Sequence, residues 1–170
     1  MAILEAIKKR YSCRAYIDKP IEQEKLSQIF EAARLAPSAK NLQDWRFVVV
    51  TDKQKKRQVA EVTNRPEIFV KAGAIIIACS NSDYIMKCGQ PVGPIDVSIA
   101  LEHIALQAAE LGLATCWIGS FDAGKVRAIL NIPQSITIIE LMTLGYPADK
   151  PVHSQRESME RIVCYDKWQF

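Results

Sequence analysis

Arg10, Ser12 and Arg14 stand at alternate positions where an N-terminal helical pattern gives way to an extended one. Two guanidinium groups around a hydroxyl make a grip for a phosphate, because arginine presents forked donors that match its oxygens and serine adds a third. The same arginines could instead pair with surface carboxylates. A second candidate is Ala36-Pro-Ser-Ala-Lys-Asn-Leu-Gln-Asp-Trp-Arg-Phe47, a short loop rich in hydrogen-bonding side chains between a helix and an apolar strand. Loops so placed commonly carry ligands. A third is Glu110 to Phe121, where Gly112 breaks a helix and Gly119 follows a strand. Glycine there permits close approach of main chain to a flat ligand, or simply closes a strand and turn.

Other chemistries are excluded by what is missing. The chain has only two histidines, His103 and His153, with no spacing that suggests a metal set. His103 lies on the most apolar helix and reads as a core or interface residue. No Gly-x-Ser-x-Gly elbow offers a serine nucleophile, and Cys116 lies inside an apolar strand, where thiols are usually inert. Neither a Gly-x-Gly-x-x-Gly following a strand nor a P-loop is present. A bound cofactor is therefore the best source of reactivity.

The elements that must position these residues follow from periodicity. Helices are expected over Ala2 to Lys9, Glu22 to Leu35, Asp52 to Val62, Ile95 to Leu113 and Ala123 to Leu130. Strands are expected over Trp45 to Val50, Gly73 to Cys79, Ala114 to Gly119 and Ile136 to Leu144, with Asn81 to Pro94 a connector and a short helix in the tail. The Ile95–Leu113 helix is apolar nearly all round, which marks it as central or buried between subunits. Helices and strands around one sheet mean α/β or α+β.

At 170 residues, 49% hydrophobic and 24% charged, the chain reads as one folded domain spanning 1–170. A net charge of +3 is too small for a nucleic-acid partner, and the Lys53, Lys55, Lys56, Arg57 cluster reads as a solvated helix face. No apolar run approaches the roughly 20 residues of a membrane helix. Five cysteines without a Cys-x-x-Cys pair, and no signal peptide at the start, suggest reduced thiols in a cytoplasm.

Taken in order, Arg10-x-Ser-x-Arg14, Ala36-Pro-Ser-Ala-x-Asn-x-Gln-x-Trp-Arg-Phe47, Gly112-Leu-x-Thr-Cys-Trp-Ile-Gly119, Leu144-Gly-Tyr-Pro147 and Arg156 before Tyr165-x-x-Trp168 resemble the nitroreductase family of flavin enzymes. The resemblance covers nearly the whole chain. It implies an α+β fold with a mixed sheet, an intertwined homodimer, and FMN at sites between subunits. It also implies a ping-pong cycle in which NADH or NADPH reduces FMN and a small acceptor, such as a nitroaromatic or quinone, reoxidises it. On this resemblance Arg10, Ser12 and Arg156 would hold the FMN phosphate, beside Tyr11. Arg14 would lie near the ribityl chain and pyrimidine end. Pro37, Ser38, Ala39 and Asn41 would come from the other subunit to line the isoalloxazine, and the backbone of Trp117, Ile118 and Gly119 would face its N5 edge. No side chain need act as acid or base.

The chain departs from the family pattern in two places. Asp44 replaces the usual proline after Gln43 and is expected to face solvent, since an unpaired carboxylate is costly to bury. The short connector implies an open flavin face, with Tyr84, Met86 and Cys88 as local cover or ordinary loop packing. Alternative readings are reductive dehalogenation or another family chemistry, or a protein that stores or senses FMN without turnover.

Overall fold

In the computed structural model, residues 3–152 and 154–170 are described. Ala2, at the expected start of the first helix, and His153 lie outside them. Helix α1 spans Glu5–Lys9 and α2 spans Gln23–Arg34. Strand β1 (Trp45–Val50), α3 (Lys53–Glu61), α4 (Pro66–Val70) and β2 (Ala74–Ser80) follow. The chain continues through α5 (Val92–Glu110), β3 (Ala114–Ile118), α6 (Ala123–Leu130) and β4 (Thr137–Gly145), and a single 3-10 turn, Met159–Arg161, lies in the tail.

The strands form a four-stranded sheet in the order β1-β2-β4-β3. Every strand pair is antiparallel, so the α+β class holds but the expected mixed sheet does not. Among the described residues the one parallel pairing is the isolated bridge between Ser12 and Thr115 on the outer side of β3. The physical reason is that Cys13 N–H donates to Thr115 O at 2.9 Å, a single rung, before the segment turns away to pair with the chain after β4.

Helices cover both faces of the sheet. Successive strand side chains point to opposite faces, and β2 divides on that rule. Ile75, Ile77 and Cys79 pack with Val59, Phe69 and Val126 from α3, α4 and α6. Ile76 and Ala78 pack with Leu26, Ile29, Val97 and Leu101 from α2 and α5. All of β2 is buried, which its unbroken apolar run requires.

Asp52 caps α3 as expected, accepting from Lys55 N–H at 2.8 Å. The basic cluster is not uniformly solvated: Lys56 is buried and donates to Ala72 O, while its neighbours Lys53, Lys55 and Arg57 remain exposed. Helix α5 begins three residues before its expected start, with Pro94 tolerated in its first turn, where no intrahelical N–H is needed. It ends at Gly112, whose φ of +72° is the left-handed conformation that glycine supplies without strain.

Much of the apolar girth of α5 is covered within one chain, while Ile95 stays exposed and Ile99 and Leu106 are half-buried. The sheet covers one side, and α2 and α1 cover others, burying Val97, Ala100, Leu101, Ile104 and Ala108 within one chain. Large apolar side chains remain exposed at Ile95 of α5, at Leu35 and Leu42 beside the 36–47 loop, and towards the ends at Leu4, Val152, Met159, Tyr165 and Trp168.

Candidate functional site

The first group assembles around a polar cleft of about 200 Å³ lined by Arg10, Tyr11, Ser12, Arg14, Val152, Ser154 and Arg156. Arg10 follows α1, while Ser12 and Cys13 are fixed against β3 by the rung to Thr115. Alternation along this extended segment sends Cys13 into the core and leaves Ser12 and Arg14 facing outward. Arg156 reaches the cleft from the tail, more than a hundred residues away in sequence.

Asp149, which sequence reasoning missed, organises this segment. Its carboxylate accepts from Tyr11 OH at 2.9 Å, Cys13 Sγ at 3.1 Å and Arg14 N–H at 3.1 Å. Burial pushes its carboxyl up, but these donors outweigh burial and hold it below the ordinary range. The Cys13 thiol is pushed up to about 11, first by burial and then by its bond to Asp149. Burial likewise raises Cys116, so both thiols stay protonated and inert. No local motif marks Asp149, because its partners lie about 135 positions away.

Asp149 is satisfied by other donors, so it forms no ion pair with the arginines of the cleft; Arg14 Nη1 donates to Ser12 O at 3.4 Å. Arg10 Nε is buried without a hydrogen-bond partner; its nearest carboxylate, Glu102 Oε1 on α5, lies 3.6 Å away. A buried donor left unmade is costly, and a phosphate oxygen is the acceptor this setting suits. The residues present fit the phosphate of an FMN.

The second group is the 36–47 loop. Lys40, Asn41 and Gln43 all adopt left-handed φ, at 51°, 54° and 49°. For residues other than glycine this costs on the order of 1–2 kcal/mol each, so the surroundings must enforce it. They do so through Ser38 Oγ, which accepts from Gln43 N–H at 3.0 Å, and through Asp96 on α5, which accepts from Ala39 N–H at 3.0 Å. Pro37, Ser38, Ala39 and Asn41 thus sit on a braced turn. The arginine cleft is lined by none of them.

Asp44 does not face solvent. It is 3% exposed, and Ser80 Oγ–H donates to its Oδ2, while Oδ1 is buried without a partner. Register is the cause: Trp45 pairs with Ser80, and Asn81 N–H donates to Asp44 O at 3.2 Å, so Asp44 is carried over the end of β2.

The third group, Trp117, Ile118 and Gly119, closes β3 at the sheet edge, with Gly119 exposed. Glu140 of β4 lies beneath: a Cβ on Gly119 would meet both its carboxylate oxygens at 3.6 Å. Oε1 of Glu140 is buried without a partner, and burial raises its carboxyl above the ordinary range.

Of the connector residues, Tyr84 is half-buried with Lys40 Nζ 4.1 Å above its ring, which ties it to the loop. Met86 is half-buried beside it and Cys88 is exposed. His103 is a packing residue, its Nδ1 3.1 Å from Ala32 O. Among the described residues no His, Cys, Asp and Glu cluster could hold a metal, and no helix is long and apolar enough to cross a membrane.

The chain is similar to known proteins in sequence and in fold. A Thermus thermophilus protein named NADH dehydrogenase is 32% identical over 189 residues, covering 92% of each chain. A Bacillus subtilis protein named as an NAD(P)H FMN reductase is 27% identical over 178 residues, covering 94% of this chain and 72% of that one. The solved structure of an FMN-dependent nitroreductase from Clostridium difficile R20291 superposes with a TM-score of 0.82 at 30% identity, covering 96% of this chain and 98% of that chain. The model of the Nitroreductase family matches residues 7–66 and 62–146, and on that match the chain belongs to the Nitroreductase family.

Proposed function

We propose that this chain is an NAD(P)H-dependent oxidoreductase that uses FMN to reduce a small oxidised acceptor, such as a nitroaromatic or a quinone. The observation that carries the reading is the arginine cleft, with Arg10, Ser12, Arg14 and Arg156 on one cavity and a buried Arg10 Nε lacking an acceptor. The names of the relatives support it: an FMN reductase, an NADH dehydrogenase and an FMN-dependent nitroreductase.

In this reading Arg10, Ser12 and Arg156 hold the FMN phosphate through charge-assisted bonds. Arg14, at the outer side of the cleft, sets positive charge where reduction adds negative charge, the general means by which an enzyme stabilises a developing anion. Trp117 to Gly119 present backbone at the sheet edge, and the exposed glycine lets a flat ring approach. Bound FMN supplies hydride chemistry, taking reducing equivalents from a nicotinamide and passing them to the acceptor in a ping-pong cycle. No side chain of the protein is required as a nucleophile.

The protein acts as a homodimer in this reading. Two features favour it: the 36–47 loop lines no part of the arginine cleft within one chain, and the ends carry exposed apolar side chains, Trp168 at 81% and Val152 at 80%. A second copy would cover these ends and bring its loop to the cleft.

Purified protein loaded with FMN tests the proposal. Anaerobic NADH or NADPH should bleach the visible absorbance of the flavin, and initial rates at several acceptor concentrations should give parallel reciprocal lines. Failure to bind added FMN, or a flavin that stays oxidised for minutes, would overturn it.

A further inference from the structure

Three polar side chains meet in the otherwise apolar layer beneath the 36–47 loop: Asp44 at 3% exposure, Asp96 at 2% and Ser80 at 1%. They come from the loop itself, from α5 and from the end of β2. The space is tight, since a Cβ on Gly93, in the first turn of α5, would stand 2.6 Å from Ser80 Oγ and 3.8 Å from Asp44 Oδ2. Glycine at that position is what allows α5 to close over the group.

The hydrogen bonds of the cluster can be followed atom by atom. Ser80 Oγ–H donates to Asp44 Oδ2, and Ser80 Oγ accepts from Ser82 N–H at 3.1 Å. Asp96 accepts from Ala39 N–H, at 3.0 Å through Oδ2 and 3.2 Å through Oδ1. Asp44 Oδ1 is left buried with no donor. Gly93, which faces Asp44, lies one helical turn before Asp96 on the same side of α5, so the helix carries the Asp96 carboxyl beside Asp44.

Among the described residues neither carboxyl forms an ion pair. Lys40 Nζ lies over the Tyr84 ring, and Arg46 Nη1 is bound to the carbonyls of Gln43 and Trp45. Ser80 of β2 and Gly93 of α5 face Asp44, and neither carries a charge. Two like charges side by side in an apolar layer cannot both persist at low cost. A proton on one of them removes the repulsion and also provides the donor that Asp44 Oδ1 lacks.

We propose that the Asp96 carboxyl holds a proton that it donates to Asp44 Oδ1, and that this carboxyl–carboxylate pair positions the strained 38–43 turn for the flavin. Burial, and next the adjoining carboxylate after the opposing Ala39 bond, raise the Asp96 carboxyl above its ordinary range, in keeping with this assignment. Asp96 is then a positioning residue: its carboxyl accepts from Ala39 N–H and donates to Asp44, and the backbone between those two residues is held left-handed. Loss of the proton sets two carboxylates against each other and frees the turn.

The inference rests on the proposed FMN site, and the experiment separates the two. In flavin-free protein, ¹³C-aspartate NMR follows the Asp96 carboxyl through pH; it should titrate well above the ordinary Asp value of about 3.9. FMN dissociation constants are then measured by fluorescence across the same pH range for wild type, Asp96→Asn and Asp96→Leu. The Asn amide mimics the protonated carboxyl, donating to Asp44 and accepting from Ala39 N–H. Asp96→Asn should bind FMN as wild type does at low pH. At high pH wild type should weaken relative to Asp96→Asn by about tenfold, the equivalent of one pKa unit. Asp96→Leu should bind weakly throughout. An Asp96 carboxyl that titrates in the ordinary range overturns the proposal, as does an Asn variant whose profile matches wild type or whose binding is as poor as that of the Leu variant. Protein that takes up no FMN overturns the flavin reading instead, and the NMR titration still decides where the proton is.

Discussion

The arginine cleft and the 36–47 loop solve opposite electrostatic problems. In the cleft, cations outnumber the acids that touch them, because Asp149 is satisfied by a phenol, a thiol and a backbone amide. Under the loop, two carboxyl groups are buried together with a serine and no cation. In the proposed reading the cleft takes an anion from outside, whereas the loop is balanced internally. One region spends its charge on a ligand and the other on the shape of its own backbone.

The largest expected effect comes from breaking the cationic side. Arg10→Ala combined with Arg156→Ala should remove two charge-assisted contacts at about 1.5–3 kcal/mol each. FMN affinity, followed by fluorescence quenching, should fall by about two to four orders of magnitude while the folded state persists; an unchanged affinity refutes the phosphate assignment.

Asp149→Ala should act next, through the frame of the cleft and not its charge. Three donors lose their acceptor, and chemical denaturation should show a loss of about 2–3 kcal/mol. Because the native carboxyl is held below its unfolded value, its stabilisation is present above about pH 4 and lost as pH falls through the native value. Asp149→Asn should therefore flatten the acid limb of the stability profile, and a limb as steep as that of wild type would contradict the role given to Asp149.

The smallest effect sharpens the acid side, where Glu140 is a further carboxyl with an unpartnered buried oxygen. Its native carboxyl is raised above the unfolded value, so the folded state binds more protons and stability declines as pH rises from about 4.3 through the native value. Glu140→Gln should remove that decline and stabilise the protein by about 1 kcal/mol above it, read as a shift in the denaturation midpoint at neutral against acid pH.

Periodicity made most elements legible. Trp45–Val50 and Ala123–Leu130 fall where the alternation and the helical spacing put them, and the capping role of Asp52 follows from its side chain. Arg10, Ser12 and Arg14 share a cleft because an extended segment places alternate residues on one side, a purely local rule. Helix α4 went unread because Pro66–Val70 is too short to show a period. Asp96 was visible only as a carboxylate interrupting an apolar helix, without any sign of what it met.

The sequence by itself determined the class of fold, the absence of metal-site and serine-elbow motifs, and a resemblance that placed the chain in its family. Those properties reside in local spacing and residue type. Tertiary structure decided that Arg156 and Asp149 converge on the segment 10–14, that α2, α1 and the sheet bury the inner side of α5, and that Asp44 is buried. Each depends on strand register or on contacts between residues far apart in the chain. A one-residue slip of β1 against β2 would have turned Asp44 outward, and no local pattern in the chain fixes that register.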